Sequence, residues 1–167
     1  MRGAPVAVGI GSNEGEPCAH VAEAVQRLGG ILAEARASRV YRTAPMYVTE
    51  QADFANAVLV GRARLGPYAL VRAFKQIERD MGRTSGVRNG PRPIDLDLLA
   101  YGSLCLRGVG LQVPHARALE RRFVVEPWLE VADADWEGPL RQALASPPVA
   151  AQRATIWADA DVPVRGR

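Results

Sequence analysis

Cysteine is scarce in this 167-residue chain, and Cys18 and Cys105 stand far apart with no metal-ligand spacing. That leaves no basis for a disulfide framework or a zinc site, and both are expected to be small buried hydrophobes. No apolar run approaches the roughly 20 residues that span a bilayer. The start of the chain also lacks the charged, apolar and small-residue segments of a secretory leader. A reduced, cytoplasmic protein without membrane contact is expected. Lysine is nearly absent: Lys75 is the only one among 21 basic residues. The arginines suit planar recognition of phosphate or carboxylate, or reflect compositional bias of the source. A net charge of +3, spread along the chain, is too mild to require nucleic acid as a partner.

Two nucleotide signatures are missing as well. No Gly-Lys-Ser/Thr occurs, which removes the P-loop, and Gly9, Gly11 and Gly15 have the wrong spacing for a dinucleotide turn. With 48% hydrophobic and 23% charged residues, the chain fits one ordinary globular domain. The expected division is a single domain over 1–145 and a loosely attached tail over 146–167, where a Pro-Pro pair and weak periodicity begin.

Hydrophobic periodicity predicts the elements. Val6 to Gly11 reads as a buried strand, and Pro17 opens a helix with Val21, Ala22, Val25 and Leu28 on one stripe, stopped by Gly29-Gly30. Ile31 to Arg42 and Phe54 to Leu65 read as strands. Gly66-Pro67 opens a second helix with Leu70, Phe74, Ile77 and Met81 facing inward. Arg83 to Pro93 reads as a mobile loop and Ile94 to Tyr101 as a strand. A small hairpin is predicted over 104–113, then short helices over 116–145 broken by Pro127 and Gly138-Pro139. The order β-α-β-β-α-β predicts an α+β, ferredoxin-like core, an antiparallel-rich sheet with helices packed on it, plus C-terminal short helices. That fold hosts many functions and decides none.

The chemistry concentrates at Arg92-Pro93-Ile94-Asp95-Leu96-Asp97-Leu98. On a strand Asp95 and Asp97 face one side and Ile94, Leu96 and Leu98 the other. Two neighbouring carboxylates repel unless a cation joins them, and magnesium with phosphate oxygens is a natural partner. A bare pair of this kind also fits a solvent-facing sheet edge. Arg83, Arg88 and Arg92 lead into the strand and favour a polyphosphate. His115 is by itself more often structural than catalytic, and His20 reads as surface. Phe54 and Asn56 share a strand face, so a ring and an amide point at the same space and suit a flat heterocycle. A nucleotidyltransferase, through Gly11-Ser12 and the acidic pair, and a binding module without turnover remain alternatives at this point.

Together these residues resemble the hydroxymethyl-dihydropterin pyrophosphokinase family of folate synthesis, from about Val6 to Val131. The resemblance rests above all on Gly90 to Leu99. Gly11-Ser12-Asn13, Tyr41 to Pro45, Phe54-Ala55-Asn56, Ile77-Glu78 with Gly82-Arg83, and Val113-Pro114-His115 with Arg121 and Phe123 follow in the expected order. It implies transfer of the terminal pyrophosphate of ATP to a dihydropterin hydroxymethyl group, with release of AMP. It further implies that Asp95 and Asp97 hold two magnesium ions, and that Arg83, Arg92 and Asp97 act in catalysis. Lys75, Arg88, Arg92, Leu98, His115 and Arg121 would bind ATP. The pterin would lie between Phe54 and Phe123, with Asn56 and the turn Thr43, Ala44, Pro45 and Met46 around it. A monomer is expected. Asn89 departs from the family, which often carries an aromatic ring there, and Phe54 replaces a common tyrosine.

Overall fold

The computed structural model describes residues 3–86, 88–157 and 162. The first half follows the predicted order: β1 (Ala4–Ser12), α1 (Pro17–Gly29), β2 (Leu32–Ala37), β3 (Tyr41–Thr43), β4 (Phe54–Ala63), α2 (Pro67–Asp80) and β5 (Asp95–Tyr101). Both long helices begin on a proline, whose fixed φ suits a first turn and whose missing N–H has no partner to lose there. The sheet order is β5-β1-β4-β3, with β2 also on β4. All pairings are antiparallel, which is the ferredoxin-like arrangement.

The predicted strand over 31–42 is two strands. β2 runs along β4 until Ala37 meets Leu59, and β3 starts where Tyr41 meets Asn56. Between them Ser38 interrupts the ladder: its Oγ accepts the Val58 N–H at 3.0 Å and its own N–H donates to the Val58 carbonyl at 2.8 Å. A side chain competing with backbone in this way is a local signal that apolar periodicity does not carry.

Sheet alternation sends side chains into two layers. Val8 and Ile10 of β1 meet Val21, Val25 and Leu28 of α1 and Leu70, Phe74 and Ile77 of α2 on one face. By apolar area, each fully buried Leu or Phe stabilises the fold by roughly 2–3 kcal/mol. The opposite face is covered by α3 (Arg122–Val131) and α4 (Ala134–Ala145), which bury Val124, Val125, Trp128 and Leu140 against Val58, Val60 and Leu99.

Pro127 and Pro139 lie inside these helices and do not break them. An interior proline costs about 3 kcal/mol, less than burial of Val124, Val125 and Trp128 returns. The break falls at Ala132-Asp133. The hairpin forms from β6 (Leu106–Gly108) and β7 (Leu111–Val113). In the segment read as a tail, α5 (Pro147–Ala150) precedes β8 (Thr155–Ile156), which pairs with β3; 158–161 and 163–167 lie outside the described residues. The cysteines depart from expectation: Cys18 is half-buried and Cys105 exposed. Among the described residues, no helix is long and apolar enough to cross a membrane.

Candidate active site

The strand registers assemble a row of groups across one sheet face. Gly11 lies between Asp95 on β5 and Asn56 on β4, and Gly9 lies between Asp97 and Val58. Acids therefore stand on one side of a glycine lane and the amide on the other, about 10 Å apart at two strand spacings. The lane is tight for a side chain: a Cβ on Gly11 would come within 3.2 Å of Asn56 Oδ1, so the amide would have to shift. Asn56 is buried, and its Nδ2 donates to Thr43 Oγ1 at 2.7 Å, so amide and turn are fixed together.

The two acids have different surroundings. Arg83 Nη1 lies 2.5 Å from Asp95 Oδ1, and Arg92 Nη2 lies 3.1 Å from Asp95 Oδ2. Burial works to raise the Asp95 carboxyl, but Arg92 and Arg83 outweigh it and hold it below the usual carboxylate range. Asp97 has no ion pair of this kind among the described residues. Burial and then the charge of Asp95 push it up, opposed by His115, Lys75 and Arg121.

Buried Glu78 on α2 organises this corner. It accepts the Leu96 N–H at 2.8 Å, between the two acids, and pairs with Arg83 at 2.9 Å and Lys75 at 3.0 Å.

These groups fit magnesium that arrives with a polyphosphate. Two adjacent carboxylates, one of them without a cationic partner, supply part of an oxygen shell that phosphate oxygens complete. No group of three or more His, Cys, Asp or Glu residues suited to a metal occurs among the described residues, so a self-sufficient metal cage is absent there. Among the described residues the buried Nε atoms of Arg92 and Arg121 have no hydrogen-bond partner, and an anion in the cleft would supply one.

Two adjoining clefts meet here. The first, about 380 Å³, is lined by Thr43, Ala44, Met46, Phe54, Asn56, Phe123, Arg83, Arg92 and Asp95. The second, about 500 Å³, is lined by Lys75, Leu96, Leu98 and the β6–β7 hairpin. Arg88, Asp97, His115 and Arg121 line both. Pro45 lines neither, so it stands apart from the other turn residues. Phe54 lies under the Arg92 guanidinium at 5.3 Å and Phe123 under that of Arg121 at 5.7 Å. Asn89 has φ 59°, a left-handed conformation that asparagine tolerates better than a bulky ring.

A family model described as 7,8-dihydro-6-hydroxymethylpterin-pyrophosphokinase (HPPK) matches residues 7–133. The chain belongs to the HPPK family. A 2-amino-4-hydroxy-6-hydroxymethyldihydropteridine pyrophosphokinase of Aquifex aeolicus (strain VF5) is 34% identical over 128 residues, 77% of this chain and 80% of the relative. The pyrophosphokinase of the same name from Bacillus subtilis (strain 168) is 35% identical over 126 residues, 74% of this chain and 75% of the relative. A mitochondrial folate synthesis bifunctional protein of Pisum sativum is 46% identical over 128 residues, 75% of this chain. This chain spans about a quarter of that bifunctional protein's length. A crystal structure of an HPPK-DHPS in complex with substrates shares the fold, with a TM-score of 0.62 and 14% identity over 86% of this chain and 43% of that one.

Sequence reasoning within the HPPK resemblance left Tyr47 and Gln51 without roles. Tyr47 lines both clefts and packs under Arg117 and Arg121. Gln51 accepts from Asn13 Nδ2 at 2.8 Å and donates to the Asn89 carbonyl at 2.9 Å, joining three loops at the mouth. Neither stands in a periodic segment, so only a fold could bring them here.

Proposed function

We propose that this HPPK chain transfers the terminal pyrophosphoryl group of ATP to the hydroxymethyl group of 6-hydroxymethyl-7,8-dihydropterin. The observation that carries this reading is the pair of adjoining clefts. One offers rings and an amide suited to a flat heterocycle, the other a lysine and an apolar floor, and Asp97, His115 and Arg121 stand on their common wall.

In this reading the pterin is bound by Phe54, Phe123, Asn56 and the turn residues Thr43, Ala44 and Met46. Arg92 and Arg121 leave the two rings for phosphate oxygens as the heterocycle enters. Leu98 faces the adenine, and Lys75, Arg88, His115 and Arg121 hold the triphosphate. Asp95 and Asp97 would hold two magnesium ions, which would supply positive charge against the triphosphate. The hydroxyl oxygen of the pterin attacks the β-phosphorus in line. The new P–O bond forms as the bond to the oxygen on the α-phosphate breaks, and AMP departs with that oxygen. The hydroxyl proton is lost from the attacking side, where the Asp97 carboxylate is the acceptor at hand. Arg83 and Arg92 stabilise the charge that grows on the transferring group. The same reading takes the chain as a monomer in the cytoplasm, acting on small molecules rather than nucleic acid or membrane.

Calorimetric titration with magnesium and a non-hydrolysable ATP analogue, then with the hydroxymethyl-dihydropterin, tests the two-cleft assignment. Simultaneous binding, one of each per chain, is expected. Mutual exclusion of the two ligands would sink it.

A further inference from the structure

Arg121 and Phe123 flank the start of α3, and both reach the cleft. Arg121 occupies the helix N-cap position but makes no side-chain cap bond. Its guanidinium instead donates to Tyr47 Oη at 3.3 Å and packs over the rings of Tyr47 and Phe123, with a buried Nε that has no partner among the described residues. A guanidinium carries only donors and cannot accept a helix N–H, so the first N–H groups of α3 need an acceptor from elsewhere.

Gln152 supplies that support from thirty residues along the chain. Its Oε1 accepts the Arg122 N–H, the first free donor of α3, at 2.9 Å, and its Nε2 donates to the Glu120 carbonyl at 2.8 Å. One amide thus holds the backbone on both sides of Arg121. A second latch runs the other way, because Arg122 Nη1 donates to the carbonyls of Ala150 and Gln152 at 3.2 Å each. Gln152 is itself placed by the turn after α5, where its N–H donates to the Val149 carbonyl at 3.1 Å. It lies beyond residues 7–133, the span of the family match.

We propose that Gln152 is a positioning residue for substrate binding, setting Arg121 and Phe123 by clamping the backbone between them and Glu120. Its substrates are those of the function proposed above, on which this inference rests. Gln152 touches neither the two acids nor Arg83 and Arg92, so its loss weakens binding and leaves the chemical step nearly intact.

The test uses the full chain with Gln152→Ala and Gln152→Glu, steady-state kinetics for both substrates, and amide hydrogen exchange over 120–124. Gln152→Ala is expected to raise both KM values on the order of tenfold, with kcat within about threefold and faster exchange at Arg122. Gln152→Glu keeps the acceptor for Arg122 and loses the donor to Glu120, and is expected to fall between. It also decides the matter where the alanine variant does not fold. Unchanged KM values, or a loss confined to kcat, would overturn the proposal. A wild-type chain without turnover would refute the proposed function instead. The brace is then judged by affinity for magnesium–ATP, which the alanine variant is expected to lose on the order of tenfold and whose constancy would overturn it.

Discussion

Asp95 and Asp97 share one face of β5, two residues apart, yet their carboxyls shift in opposite directions. Asp95 is clasped by Arg83 and Arg92, while burial and the charge of Asp95 itself raise Asp97. The strand holds one acid neutralised by two guanidinium groups and the other with no ion pair among the described residues.

Replacing Asp97 by Asn removes the repelled charge and keeps the shape. Turnover is expected to vanish while stability stays equal or rises by about 1 kcal/mol, the usual trade at a functional site. Thermal melts and a turnover assay read both. Near-normal turnover, or a clearly lower Tm, would show that Asp97 is structural.

Arg83→Ala is expected to have the contrary profile. Glu78 is 3% exposed and Asp95 is partly buried, and both lose a guanidinium partner. Breaking such a pair costs about 3 kcal/mol, so chemical denaturation is expected to show a clear loss of stability along with lost turnover. Arg92→Ala, which removes the second guanidinium on Asp95, is expected to lower kcat on the order of 10²-fold.

Chelation separates a substrate-borne metal from a structural one. With no cluster of three metal-type ligands among the described residues, EDTA is expected to stop turnover and leave the Tm of the nucleotide-free protein unchanged. A fall in Tm on chelation would indicate a resident ion.

Stability should depend on pH through Tyr41 and Glu130, which tie β3 to α3 by a hydrogen bond from the phenol to the carboxylate. Burial tends to raise Glu130, but hydrogen bonds from Arg39 and Tyr41 hold it below the usual range. Its contribution is present above the unfolded value of about 4.3 and is lost as pH falls through the lower folded value. Tyr41 is pushed above its ordinary value, first by burial and then by Glu130. Its contribution is present below about 10 and is lost as pH rises through the raised value. Tyr41→Phe is expected to cost about 1–2 kcal/mol at neutral pH and to flatten the alkaline limb. Denaturation across pH checks both limbs.

The parts legible in the sequence were those with a period. The apolar stripe of α1, the facing of Asp95 and Asp97, and the shared face of Phe54 and Asn56 all follow from 3.6- and 2-residue repeats. The interruption at Ser38 was not legible, because one hydroxyl taking the Val58 N–H has no periodic signature. Pro127 misled for the reverse reason: its local cost is real, but burial of Trp128 and its neighbours outweighs it. Tyr47 and Gln51 reach the clefts from a loop, and Gln152 meets the start of α3 through long-range hydrogen bonds, placements that only the folded chain produces.

The central claim is tested most directly by product analysis. ATP and magnesium are incubated with the protein, with and without 6-hydroxymethyl-7,8-dihydropterin, and nucleotides and pterins are separated by chromatography. The expected result is AMP and a pterin diphosphate in equal amounts, formed only when the pterin is present. Free pyrophosphate with an adenylated pterin, or no product from folded protein that binds the pterin, would contradict it.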